Sequence, residues 1–272
     1  MKKLIAMLLA LVMVVGLVAC GAKEEPAPAT EAATEAATEA ATEAATEAAT
    51  EAATEAPAEA AVMTHADYMA AELDAEVVIE TYVQRNQSWW EDKITVYAQD
   101  ADGAYFLYNM KCSKEDAAKL TAGTKIRVTG YKAEWSGEIE IVDATFAFVE
   151  GADTFVAEAQ DVTALLGSDD LIKNQNKKVA FKGMTVVASN DAGAAYLYKW
   201  DGSGAAGDDL YFKVSDGKAE YTFCVESYLT GDGTDVYEAV EALKVGDKLD
   251  MEGFLYWYES AQPHITSVSA AN

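Results

Sequence analysis

The residues in this chain best equipped to hold a ligand are its aromatic ones. Trp89, Trp90, Trp135, Trp200 and Trp257 are its five tryptophans, and each falls in a polar or glycine-bearing stretch between apolar runs. Tyr256 and Tyr258 flank the last of them. Such rings stack on sugar rings or on nucleic-acid bases. Arg85, Asn86, Gln87 and Glu134 stand near them in sequence and offer hydrogen bonds. Acid–base and metal chemistry is poorly provided for. The two histidines, His65 and His264, are far apart, and with no cysteine beside either a zinc site is not expected. Aspartates cluster at Asp100/Asp102, Asp208/Asp209 and Asp232/Asp235, but none follows the calcium-loop spacing, so turns and helix caps account for most of them. No Gly-x-Ser-x-Gly elbow, phosphate loop or specific nucleophile–base pair is present. The chain therefore reads as a non-enzymatic binder without cofactor or metal.

The elements that must position the rings repeat. Leu120, Gly123, Ile126, Val128 and Gly130 have counterparts 123 residues later at Leu243, Gly246, Leu249, Met251 and Gly253. After an aromatic loop the register slips by three, and Ile139, Val142 and Ala144 meet Ile265, Val268 and Ala270. A repeat of this length implies two copies of one supersecondary unit. In the first copy, β-branched and aromatic runs predict strands at 77–83, 94–97, 104–110, 124–131 and 138–148. The Ser113/Asp116 spacing predicts a short helix over 114–120 before the fourth strand. The second copy predicts strands at 179–187, 210–214, 221–226, 248–254 and 264–268, with a helix over 235–243 opened by Asp235 and Glu238. Between its first two strands lies an enlarged loop, 188–209, which carries Tyr196, Tyr198 and Trp200 and has room for its own hairpin. Thr64 and Asp67 have capping-box spacing for a lead-in helix within 62–74.

Three strands, a helix and two strands, with one glycine before the fourth strand and one within it, resemble the OB-fold, a five-stranded Greek-key barrel. The resemblance implies an all-β chain with short helices, holding two tandem OB-type barrels like those of anticodon-binding proteins. It also implies that the loops between strands one and two and between strands four and five flank a binding face. Those loops hold all five tryptophans. The competing reading is that the rings cap the barrels or join them, since tryptophan is usually largely buried.

Residues 1–19 have Lys2 and Lys3 before an apolar run of signal-peptide length, ending in Leu17-Val18-Ala19-Cys20. This ending resembles the lipobox of bacterial lipoproteins, which implies cleavage before Cys20, lipidation of its sulfur and a membrane-anchored cell-surface protein. Residues 20–61 form a Thr-Glu-Ala-Ala linker with nothing to build a core. Residues 62–150 and 151–272 are then the two OB-like modules. Cys112 and Cys224 do not match in the repeat, so buried thiols are expected, with one bridge between modules as the alternative.

The chain carries 20 Lys+Arg against 46 Asp+Glu. The excess acid is spread over linker and both modules, which disfavours a phosphate-binding groove. Lys125, Arg127, Lys132, Lys244 and Lys248 lie on or beside the fourth strands but are interrupted by Glu134, Asp247, Asp250 and Glu252. The sequence reading is thus a non-catalytic binder of an extracytoplasmic polymer, with cell-wall glycan favoured. Its candidate contacts are Arg85, Trp89, Trp90, Lys125, Arg127, Trp135, Trp200, Tyr256, Trp257 and Tyr258. Single-stranded nucleic acid is the first alternative, and a structural role with a protein partner is the second.

Overall fold

A computed structural model describes residues 61–271. Cys20, the lipobox-like segment and all of the linker but its final residue lie outside them. In the first barrel, β1 (Glu76–Asn86), β2 (Lys93–Gln99), β3 (Ala104–Lys111), β4 (Lys125–Trp135) and β5 (Glu138–Phe148) close in the order β1-β2-β3-β5-β4. All pairings are antiparallel except β3 with β5, where Phe106 faces Glu140. Helix α1 (His65–Ala70) precedes β1, and α2 (Lys114–Ala117) lies between β3 and β4.

A connecting segment contributes β6 (Gln160–Asp161) and two 3-10 turns at Thr163–Leu165 and Leu171–Asn174. The second barrel uses β7 (Lys178–Val187), β9 (Leu210–Ser215), β10 (Glu220–Val225), β11 (Lys248–Phe254) and β14 (His264–Ala270). β7 pairs with both β9 and β11, which closes the ring in the same order as the first. β10 and β14 make its parallel contact, Cys224 facing His264. The chain is all-β with short helices, and its two barrels have OB topology. The enlarged loop does hold its own strand, β8 (Tyr196–Tyr198), hairpinned onto β9. β12 (Trp257–Tyr258) and β13 (Ser260–Ala261) form a small ribbon before β14.

The repeated glycines have a physical reason. Gly123 and Gly246 sit at φ +88° and +99°, where a side chain would be strained, and each turns the chain into its fourth strand. Gly130 and Gly253 sit where the strand-four to strand-five register slips. A Cβ at Gly130 would come 2.7 Å from Ile141, and one at Gly253 would collide with the His264 carbonyl. These are the bulged corners at which a small barrel bends.

Several elements differ from expectation. Helix α1 keeps the Thr64/Asp67 capping box but stops at Ala70. The carbonyls of Met69 and Ala71 at its end accept from the Lys132 ammonium at 2.7 Å each, so Lys132 is a buried helix-end ligand and not an outward basic residue. Helix α4 (Asp235–Glu241) is capped by Thr234, one residue before the expected cap, because the Thr234 hydroxyl accepts from the Tyr237 amide. Glu226 is not in a strand. It caps α3 (Ser227–Thr230), a helix the sequence did not reveal. Trp135 is the last residue of β4 and pairs with Glu138 across a two-residue turn, Ser136–Gly137. Both turn residues have positive φ, the conformation that suits tight hairpins. Cys112 and Cys224 are free and buried.

Both barrels belong to one compact unit. Tyr97 and Phe106 of the first barrel form a separate buried cluster with Leu229 and Phe254 of the second. Tyr97 and Phe254 stack at 4.4 Å between ring centres. Truncating Phe254 leaves a void that the neighbouring rings cannot fill. Phe254→Ala is expected to lower the unfolding free energy by about 3–5 kcal/mol in urea denaturation. A loss below about 1 kcal/mol would show that the seam collapses freely around the missing ring.

Candidate binding cleft between the barrels

The cleft is built on that seam. The Tyr97 hydroxyl and His264 Nδ1 share a hydrogen bond of 2.9 Å. Tyr256 stacks on the His264 ring at 4.4 Å. Complete burial pushes the His264 imidazole down to about 3, so the ring is neutral. Next to it, the Trp257 amide donates to Glu138 Oε2 at 2.8 Å, and the Glu259 amide donates to the Ser136 carbonyl at 2.7 Å. The β12–β13 ribbon of the second barrel is thereby fixed against the β4–β5 turn of the first. At the other end, Gln87 Nε2 donates to Glu226 Oε2 at 3.0 Å, and the Ser88 amide donates to the Tyr228 carbonyl at 2.8 Å.

Between these clamps is a cavity of about 710 Å3. Trp135 and Tyr108 line it from the first barrel, and Trp200, Tyr211, Tyr256 and Tyr258 line it from the second. Trp200 is 76% exposed and Trp135 60% exposed. Neither belongs to a core cluster among the described residues. The polar lining is Gln87, Gln262, Asp209, Glu226 and Glu259, with no lysine or arginine. Gln87, Tyr108 and Glu226 also line an adjoining cavity of about 360 Å3 that reaches Trp90. Trp200, Tyr211 and Gln262 also line one of about 290 Å3 on the opposite side. The middle cavity thus shares walls with each of the other two, which line a groove across the barrel junction with Lys93 at one end and Lys213 at the other.

Of the residues singled out from sequence, the structure gathers Trp135, Trp200, Tyr256 and Tyr258 around the cleft and sets Trp90 at its first-barrel end. The others lie apart. Trp89 packs against the first core and donates from Nε1 to the Cys112 carbonyl at 2.9 Å. Trp257 packs against the second core and covers Gly137, where a Cβ would come within 2.8 Å of its ring. Arg85 is exposed on β1, outside the cleft lining. Lys125 and Arg127 pair with Glu80 across the β1–β4 ladder, at 2.8 Å and 3.8 Å. Sequence reasoning missed Asp209, Glu226, Gln262 and Tyr108, because they reach the cleft from four distant segments. No group of three His, Cys, Asp or Glu side chains suited to a metal ion occurs among the described residues.

No protein-family model and no curated protein matches the chain. Solved structures similar to it include a murine DNA-binding protein bound with double-stranded DNA. That one has 13% identity and a TM-score of 0.33, and the match covers 72% of this chain and 100% of that one. Another is the Ifi202 HINa domain in complex with 20-bp double-stranded DNA, at 12% identity and TM-score 0.33, covering 73% and 100%. A third is a replication protein A heterotrimer bound to single-stranded DNA, at 11% identity and TM-score 0.27, covering 71% and 49%. At identities and scores this low, the barrel assignment stands on the strand order above.

Burial also makes the junction sensitive to pH. It pushes the Glu138 carboxyl up to about 8 and that of Glu140 up to about 7. Burial, with Asp209 nearby, brings Glu226 to about 7. Glutamates in an unfolded chain titrate near ~4.3, so each of these groups holds its proton longer when folded. Their contribution to stability is complete below the unfolded value and is lost as pH rises through 7 to 8. The thermal midpoint is expected to fall between about pH 5 and about pH 9, and Glu138→Gln to remove a substantial part of that fall. An unchanged pH profile in the variant would refute the assignment.

Proposed function

We propose that the chain is a non-catalytic binding protein that holds an extended glycan in the groove across its two barrels. The observation that carries this reading is the cleft itself. Exposed Trp135, Trp200 and Tyr258 face a cavity whose polar groups are amides and carboxylates, without a lysine or arginine. Rings present flat apolar faces to sugar rings, while Gln87 and Gln262 can exchange hydrogen bonds with hydroxyls. A groove continued at both ends suits a polymer more than a small molecule. The lipobox-like Leu17-Val18-Ala19-Cys20 and the acidic linker support a protein anchored by lipid at the cell surface, where wall glycan is at hand.

Single-stranded nucleic acid is the second reading. Exposed rings along a groove on an OB barrel also stack on bases. The three solved structures named above are described as bound to DNA. The carboxylate lining of the central cavity opposes phosphates, and Lys125 and Arg127 pair with Glu80, which leaves Lys93 and Lys213 of the two adjoining cavities to meet a phosphate backbone.

The test is a tryptophan-fluorescence titration with cello-hexaose, a chitin hexamer and a single-stranded oligonucleotide. The expected result is quenching by a glycan that persists at high salt. Trp200→Ala is expected to weaken glycan binding roughly tenfold in calorimetry, the change that about 1.4 kcal/mol gives, with no loss of stability. Quenching by the oligonucleotide alone, abolished by added salt, would replace the proposal with the second reading.

A further inference from the structure

We infer that the cleft selects glycans whose sugars carry a free ammonium group, such as de-N-acetylated amino sugars, and seats that group against Asp209 and Glu226 beneath the aromatic wall. This inference rests on the glycan reading and names the class of sugar. Three carboxylates line one aromatic cavity, and none makes an ion pair among the described residues. The donors that two of them do have are neutral. Asp209 Oδ1 accepts from the Ser227 amide at 2.8 Å and the Ser227 hydroxyl at 2.7 Å. Glu226 Oε1 accepts from the Tyr228 amide at 3.2 Å, and its Oε2 accepts from Gln87. These bonds fix both carboxylates at the corner where β10 passes into α3, with lone pairs left over and no compensating cation.

The rings are a second and independent feature. Trp135, Trp200, Tyr256 and Tyr258 surround the same space, and aromatic faces attract cations through their quadrupoles. The only basic group in the lining is the His264 imidazole, which is neutral. Rings with unpaired carboxylates and no positive charge form a site for a cationic ligand that itself presents flat faces. A neutral sugar would leave Asp209 without a charge partner and let Glu226 keep its proton up to about pH 7, where a cation would draw that proton off. A sugar bearing an ammonium meets both features at once.

The experiment compares a glucosamine hexamer, an N-acetylglucosamine hexamer and cello-hexaose by calorimetry at one moderate salt concentration. A charge-assisted hydrogen bond is worth about 1.5–3 kcal/mol, so the glucosamine hexamer is expected to bind at least about tenfold tighter than either neutral hexamer. Asp209→Asn keeps the oxygen that accepts from Ser227, Glu226→Gln keeps one of the two oxygens that accept from Tyr228 and Gln87, and together they remove the charges. This pair is expected to bring the preference down to about twofold or less. Glu259→Gln, on an exposed loop, is expected to reduce it partway. The whole chain is acidic, so a cationic glycan can also gather on it non-specifically. Glu72→Gln with Glu115→Gln, both outside the groove, serves as the control and is expected to leave the preference intact. Equal binding of the three hexamers, or tighter binding of a neutral one, would overturn the inference and leave the glycan reading standing. A preference lost equally in the control pair would also overturn it, by showing the attraction to be diffuse. Silence with all three hexamers would overturn both.

Discussion

The stacked contact between Tyr97 and Phe254 is the interaction on which the rest depends. Two barrels of this size each close their own sheet, so the strand ladders of neither depend on the other. What joins them is a small apolar seam with one buried hydrogen bond, between Tyr97 and the neutral His264 ring. Around it, backbone groups of one barrel find partners in the other. Lys178 N donates to Gln99 Oε1 at 2.8 Å, and Asn176 Nδ2 donates to the Ile139 carbonyl at 3.1 Å. Buried polar groups left without these partners would cost more than the bonds themselves return, so the docking geometry is narrowly defined. The cleft is a product of that geometry. Its rings come from both barrels, and its floor is the Tyr256–His264 stack directly above the seam.

Much of the fold was legible in the sequence. The repeat showed two copies of one unit because its glycines answer backbone demands that no other residue meets, as at Gly123 and Gly246. Strands of alternating or continuous apolar character were found close to their true limits, and Thr64/Asp67 announced a real cap. The failures have a common cause. Lys132 reads as a surface lysine on an alternating strand, yet its long side chain crosses to the end of a helix more than sixty residues earlier in the chain. Trp89, Trp90 and Trp257 look alike in sequence, and only tertiary packing sends two of them against cores and leaves the third exposed.

The seam was still less legible. Tyr97, Phe106 and Phe254 lie on strands buried on both faces, which a short apolar run cannot announce. The carboxylates of the cleft were hidden differently. Asp209 follows a glycine-rich loop and read as a turn or cap residue, while Glu226 read as the end of an apolar strand. Both in fact accept from the first turn of α3, as the bonds to Ser227 and Tyr228 show. The same bonds orient the two carboxylates toward the cleft. One residue can cap a helix and face a ligand at once, and only the folded chain reveals the second role.

The central claim is that the site exists only where the barrels dock. The most direct measurement is hexasaccharide binding by a Tyr97→Ala/Phe254→Ala double variant, with far-UV circular dichroism reporting whether the barrels remain folded. Folded barrels that no longer bind would bear the account out, since each would keep its own rings and lose only their juxtaposition. Folded barrels that bind with undiminished affinity would contradict it and assign the ligand to a single barrel.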